Sequence, residues 1–106
     1  MKIKAITKRP GGKPVSTWIE DNLKNLQNAV GGYIETFTIT TDRGRIVVIC
    51  DEEGRMKDKE RNCTLFGNTF VGDIVIVGAD PVTGNFKDLP FDYQEMKKLL
   101  PGLWEE

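Results

Sequence analysis

Residues 33–51 read YIETFTITTDRGRIVVICD, and the way this stretch divides decides the fold. Residues 33–40 are β-branched and aromatic, the composition of a strand. Asp42-Arg43-Gly44 is turn chemistry, and residues 45–51 form the next strand. Its run Val47-Val48-Ile49-Cys50 has no polar alternation, so this strand is expected to be buried on both faces and central in a sheet.

Upstream, Leu23, Leu26, Gln27 and Val30 recur at i, i+3, i+4 and i+7, one face of a short helix. Asp21 or Asn22 can cap its N-terminus with a side-chain oxygen. The adjacent glycines Gly31 and Gly32 follow that helix. Carbonyls are unpaired at a helix C-terminus and the macrodipole is negative there, so the pair is misplaced for an anion cradle. Gly31 is expected to end the helix in the left-handed region, with Gly32 turning the chain into the strand. Residues 1–8 alternate apolar and polar, Arg9-Pro10-Gly11-Gly12-Lys13-Pro14 is a turn, and residues 15–19 return. Residues 2–19 therefore read as a hairpin.

Downstream, Glu52-Glu53-Gly54 turns the chain, and residues 55–62 (RMKDKERN) read as a charged loop with a solvated face. Residues 69–79 read as one strand interrupted by Gly72, residues 81–85 as a turn and residues 91–100 as a second helix. Leu103 and Trp104 are expected to pack down after Pro101-Gly102. The predicted fold is a single α+β domain over residues 1–106. It has an antiparallel sheet of about five strands with two short helices on one face.

With 106 residues, 39% hydrophobic and 29% charged, and a net charge of −1, the chain has the balance of a globular domain. It carries no global basic field for long nucleic acid. No stretch approaches the roughly 20 apolar residues of a membrane span, and residues 1–10 hold no signal-peptide core. Cys50 and Cys63, without CxxC spacing, are expected as reduced thiols in a cytoplasm.

The chain contains no histidine, which removes Ser-His-Asp and Cys-His nucleophile arrangements and imidazole metal ligands. Ser16 has no base beside it in its strand pattern. Cys50 reads as a buried structural thiol, and Cys63, although near Lys59 and Arg61, has no acid or base partner. Asp51, Glu52 and Glu53 are expected to form a solvated turn and lack the spacing of a calcium loop. No catalytic residue, metal or cofactor is expected.

Lys8 and Arg9-Pro10-Gly11-Gly12-Lys13 make the best candidate anion site. Consecutive glycines can converge backbone N–H groups, and three cations add charge. It is not a Walker loop, which needs GxxxxGK[ST] and a following helix. The competing reading is a hairpin tip with solubilising cations.

Taken in order, the PGGKP turn, LQNAVGGYIE, ICDEEGR, Arg61-Asn62, GDIVIVGAD and GNFKDL resemble one family. It comprises short proteins of Gram-positive bacteria, phages and mobile elements, known as domain of unknown function thirty-eight forty-six. Two details depart from the family pattern: MKDKER after EEGR is charged instead of apolar, and Arg61 and Asn62 stand in reversed order. The resemblance implies an accessory protein in a bacterial host cytoplasm. The first expectation is a non-enzymatic protein that sequesters a small anionic, nucleotide-like molecule in counter-defence. Lys8, Arg9, Gly11, Gly12, Lys13, Arg61 and Asn62 would hold phosphate, with Trp18 or Tyr33 stacked on a base. A homodimer or higher homo-oligomer would enlarge the pocket. The second expectation is a protein-interaction module that blocks a host protein through a sheet edge or the terminal Leu103-Trp104. The third is a hydrolase using Asp51 and Glu53.

Overall fold

A computed structural model describes residues 1–105. The strands are β1 (Lys2–Lys8), β2 (Val15–Glu20), β3 (Ile34–Thr41), β4 (Gly44–Asp51), β5 (Arg61–Leu65), β6 (Asn68–Val71), β7 (Ile74–Ala79) and β8 (Phe86–Lys87). The helices are α1 (Leu23–Val30) and α2 (Tyr93–Leu99), followed by a 3₁₀ turn, Pro101–Leu103. β2-β1-β7-β4-β3 form one antiparallel sheet, with β8 pairing β7 beside this path. β5 and β6 form a separate two-stranded hairpin. The α+β class and the antiparallel sheet are those expected, and β4 lies inside the sheet between β3 and β7.

β1 pairs with β7 only from Ile6 to Lys8. Residues 86–89 fill the gap where it departs: Lys4 donates its backbone N–H to Asp88 Oδ1 at 2.8 Å, and Leu89 donates to the Lys4 carbonyl at 3.1 Å.

Alternate residues of β4 feed two cores. Val47 and Ile49 share one sheet face with Ile3, Ala5, Val75 and Val77, under Leu26 and Val30 of α1. Ile46, Val48 and Cys50 face the opposite layer, built from the β5–β6 hairpin, Met96 of α2, Leu100 and Leu103. The two helices therefore cover opposite faces of the sheet instead of sharing one. A central strand with both residue sets apolar needs cover on both sides, because an uncovered set would leave its side chains in water.

Residues 69–79 do not form one strand. At Gly72 (φ +73°) the chain crosses from the hairpin layer into the sheet, so β6 and β7 belong to different layers. A Cβ there would lie 2.7 Å from Lys59 Cδ. The hairpin's first strand, β5, begins at Arg61 and Asn62, expected as the end of the charged loop, and runs on to Leu65. Both helices are capped locally. Asn22 Oδ1 accepts from the Asn25 N–H at 2.8 Å, and Asp92 and Glu95 form a capping box. Gly31 (φ +80°) ends α1 in the left-handed region, its N–H donating to the Gln27 carbonyl at 2.8 Å.

Candidate functional site

The densest charged constellation is not the solvated turn expected of residues 51–53. Asp51 shares the α1 side of β4 with Val47 and Ile49, and its side chain is fully buried. Its Oδ2 accepts from Lys57 at 2.8 Å and from Lys59 at 2.7 Å, while Oδ1 accepts the Glu53 N–H at 2.9 Å. The same lysines reach the open end of α1: Lys59 donates to the Val30 carbonyl at 2.7 Å and Lys57 to the Gly31 carbonyl at 3.1 Å. Cations there complement the helix dipole and satisfy carbonyls that lack a partner within the helix. Burial by itself would raise the Asp51 pKa, but the two lysine hydrogen bonds overcome it and hold the carboxyl well below the usual range. Part of the charged loop is thus a clamp joining β4 to α1. A Cβ on Gly32 would stand 2.6 Å from Asp51 Oδ1 and 2.7 Å from Lys57 Nζ, so this glycine is the clearance the clamp needs.

Lys8 and Asn62 are likewise interior. Lys8 is 2% exposed, and its ammonium donates to Asn62 Oδ1 at 2.9 Å and to the Asn62 carbonyl at 3.3 Å. Asn62 Nδ2 returns hydrogen bonds to the carbonyls of Lys8 and Gly72, each 2.8 Å. This network ties the β5–β6 hairpin to the sheet, commits the Lys8 ammonium to Asn62 and buries Asn62. Arg61 is exposed on β5 and donates to Thr64 Oγ1 at 3.1 Å.

The β1–β2 turn keeps Arg9, Gly11, Gly12 and Lys13 together. Gly11 takes φ +75°, and the Gly12 N–H donates to the Arg9 carbonyl at 2.9 Å, so that donor closes the turn instead of facing a ligand. Arg9 and Lys13 are exposed and make no ion pair among the described residues. With Thr7, Lys8, Gly12 and Val15 they border a depression of about 300 Å³ whose lining carries no carboxylate. A smaller depression of about 200 Å³ adjoins it at Thr7, Lys8 and Arg9, where Asp73 contributes an acid.

The aromatic residues expected beside this turn lie elsewhere. Trp18 pairs with Lys4 and shares the sheet face of Ile6, the α2 side, whereas Thr7 and Val15 turn to the α1 side. Tyr33 precedes β3, three strand spacings from β1 at the same sheet end, roughly 14 Å away. The structure therefore gathers Lys8, Arg9, Gly11, Gly12 and Lys13 at the turn, with the Lys8 ammonium already bonded to Asn62, and leaves Asn62, Trp18 and Tyr33 outside that group.

A further cleft was not visible in the sequence. About 260 Å³ in volume, it opens between β3 and the β5–β6 hairpin, walled by Phe37 and Phe70 in edge-to-face contact at 5.9 Å. Glu35 and Glu52 line it together with Arg55, which donates to the Thr69 carbonyl at 2.7 Å. Cys50 is at its edge, and burial, reinforced by Glu35 and Asp51, pushes that thiol up to about 11. Burial also raises Cys63, against the opposing influence of Lys8 and Arg61. Neither thiol is activated as a nucleophile. Glu95 is paired to Arg43, which lowers its pKa to about 2. Among the described residues no group of His, Cys, Asp or Glu has the geometry to hold a metal ion. No helix among the described residues is long and apolar enough to cross a membrane.

One signal for the clamp was present in the sequence. Asp51 occupies the strand parity of Val47 and Ile49, so an acid at that position is directed into the α1 layer and needs cations; Lys57 and Lys59 follow within eight residues.

No curated protein and no solved structure matches the chain. A family model does: residues 1–100 match DUF3846, a domain of unknown function. The ordered set of motifs and the extent of that match agree, and the chain belongs to the DUF3846 family.

Proposed function

We propose that the protein is a non-enzymatic binding module that captures a small anionic, nucleotide-like molecule at the β1–β2 turn. The observation that carries this reading is the depression of about 300 Å³ bordered by Arg9 and Lys13, with no carboxylate in its lining and neither cation in an ion pair among the described residues. Two unpaired cations beside a concave surface attract phosphate, and Arg9 offers it a planar fork of donors. Neither Trp18 nor Tyr33 reaches this depression, so the reading covers the phosphate end of the ligand. The buried, raised thiols and the ion-paired Asp51 argue against turnover, including the hydrolase built on Asp51 and Glu53. The setting we propose, a bacterial cytoplasm and an accessory role for a phage or mobile element, rests on family resemblance.

The test is retention. Protein is incubated with bacterial nucleotide extracts, including cyclic ADP-ribose-type signals, then washed and heated, and the released molecules are identified by mass spectrometry. A nucleotide-like anion should be retained, and Arg9→Ser with Lys13→Ser should abolish retention at an unchanged melting temperature. Retention of nothing nucleotide-like, or retention indifferent to both substitutions, defeats the reading.

A second reading, a module that covers a host protein, is favoured by Trp18 and Val15, 60% and 55% exposed on the edge strand β2. Leu103 and Trp104 do not serve it. Leu103 is buried, and Trp104 packs edge-to-face on Tyr93 at 5.3 Å. A stable host-protein complex lost on Trp18→Ser would favour this reading over the first.

A further inference from the structure

β3 is an edge strand with an unusually open side. It pairs with β4 through eight consecutive residues without a bulge, and no strand of the described residues pairs with its other side. The Tyr33 carbonyl accepts the Glu52 N–H at 2.8 Å, which fixes the phase of the ladder. Odd-numbered residues of β3 direct their backbone groups to β4, so the N–H and C=O groups of Thr36, Thr38 and Thr40 point outward. Proteins usually blunt such an edge with proline, lysine, a bulge or a covering segment. Between Ile34 and Thr41 there is no proline, no cation and no bulge, and Glu35 is the one charge. Thr36, Thr38 and Thr40 are all exposed.

We propose that β3 pairs antiparallel with β3 of a second copy of the chain, centred on Thr38. The sequence is self-complementary in that register. Thr38 meets the partner's Thr38, and Thr36 meets the partner's Thr40, so the outward groups face one another and make about six main-chain hydrogen bonds. Between these pairs, on the other face, Phe37 meets the partner's Ile39, an aromatic–β-branched pair of the kind that stabilises antiparallel ladders. Glu35 meets the partner's Thr41, and the two Glu35 carboxylates stand six residues apart along the ladder, roughly 20 Å. No like charges are opposed. Centring on Thr36 would set Glu35 against the partner's Phe37, and centring on Thr40 would run into the Asp42-Arg43 turn. A single ladder buries little area, so the dimer is reversible and concentration-dependent. It leaves the β1–β2 turn, at the other side of the sheet, open; the proposal stands on the edge alone and does not depend on anion binding.

Sedimentation velocity of the full chain tests it. The mass should rise from monomer toward dimer with concentration. Thr38→Lys and Thr38→Glu place like charges across the two-fold axis, and each should weaken the dimer roughly fivefold. Mixing the two variants should restore it, because the opposed charges then attract. Thr38→Pro removes an outward N–H that the β3–β4 ladder does not use, so it should abolish dimerisation with the circular dichroism spectrum retained. A wild-type chain that stays monomeric at its highest soluble concentration overturns the proposal. So does a dimer of undiminished affinity in Thr38→Lys and Thr38→Pro, which would place the contact elsewhere, or a mixture no more associated than its components.

Discussion

Replacing Asp51 by Asn should be among the most damaging conservative changes in this chain. The carboxylate is fully buried and accepts from Lys57, Lys59 and the Glu53 N–H. Breaking a buried ion pair from one side costs about 3–5 kcal/mol when the remaining charge is trapped. Here the lysines keep 39% and 24% of their side chains exposed and can turn partly to water. That relief places the expected loss at about 2–3 kcal/mol, and in a domain of this size at roughly 10–20 °C of melting temperature. The pH dependence provides an independent check. The folded carboxyl titrates below its unfolded value of about 3.9, so between those values the unfolded state binds more protons. The stabilisation from Asp51 is therefore complete above about pH 5 and lost as pH falls through 4 toward the folded pKa. Thermal melts of wild type and Asp51→Asn from pH 7 to pH 3 should show a wide gap that narrows in the acid range. A gap of a degree or two at pH 7, or one that stays constant down to pH 3, would refute the clamp.

Three further outcomes follow from the same geometry. Gly31→Ala forces a Cβ into a left-handed position and against Lys59 Nζ at 2.9 Å. It should cost about 1 kcal/mol by denaturant titration while leaving anion retention unchanged; loss of retention at unchanged stability would contradict its assignment as a cap. Cys50 and Cys63 are buried with raised pKa values, so at pH 8 a disulfide reagent should label neither until urea unfolds the chain, and rapid native labelling of either would show the site to be open. Arg43 bridges the β3–β4 turn to α2, donating to Glu95 and to the Pro90 carbonyl at 2.7 Å. Arg43→Ala should lower the melting temperature slightly at low ionic strength and less at high salt, as expected for a solvent-exposed pair.

The features legible in the sequence are those fixed by neighbours. The left-handed cap at Gly31, the Asn22 N-cap and the β1–β2 hairpin depend on residues within a few positions, so their chemistry is written side by side. The clamp is not of that kind. Lys57 and Lys59 act on carbonyls 26 and 29 residues earlier in the chain, and in sequence they sit among acids that suggest a solvated loop. Lys8 and Asn62 are 54 residues apart, and a lysine beside a glycine turn reads as an anion contact until the β5–β6 layer is seen to bury it. Gly72 was legible as an interruption but not as a change of layer, because φ > 0 at one residue does not say where the chain goes next.

The placement of the helices is the instructive case, because residues 47–50 already held the answer. An apolar strand without alternation has two faces to bury. Two helices and a hairpin on a single side would have left Val47 and Ile49, or Ile46 and Val48, against water. At about 25 cal/mol per Å² of apolar area, either exposed row would outweigh anything the local helix signals contribute. Two-sided burial therefore requires three layers, with α1 on one side and the hairpin and α2 on the other. It also explains the polar interior. Asp51 and Lys8 end β4 and β1 at the same end of the sheet, on opposite faces. Each layer meets the sheet there through one buried charge: Asp51 for α1, Lys8 for the hairpin. Such a domain can then tolerate exchange of apolar core residues more readily than loss of either charge. A Lys8→Met substitution puts a side chain of similar length at the hairpin interface but leaves Asn62 Oδ1 without its donor, and it should loosen β5 and β6 ahead of the sheet, seen as faster amide exchange in residues 61–71 than in β4 and β7.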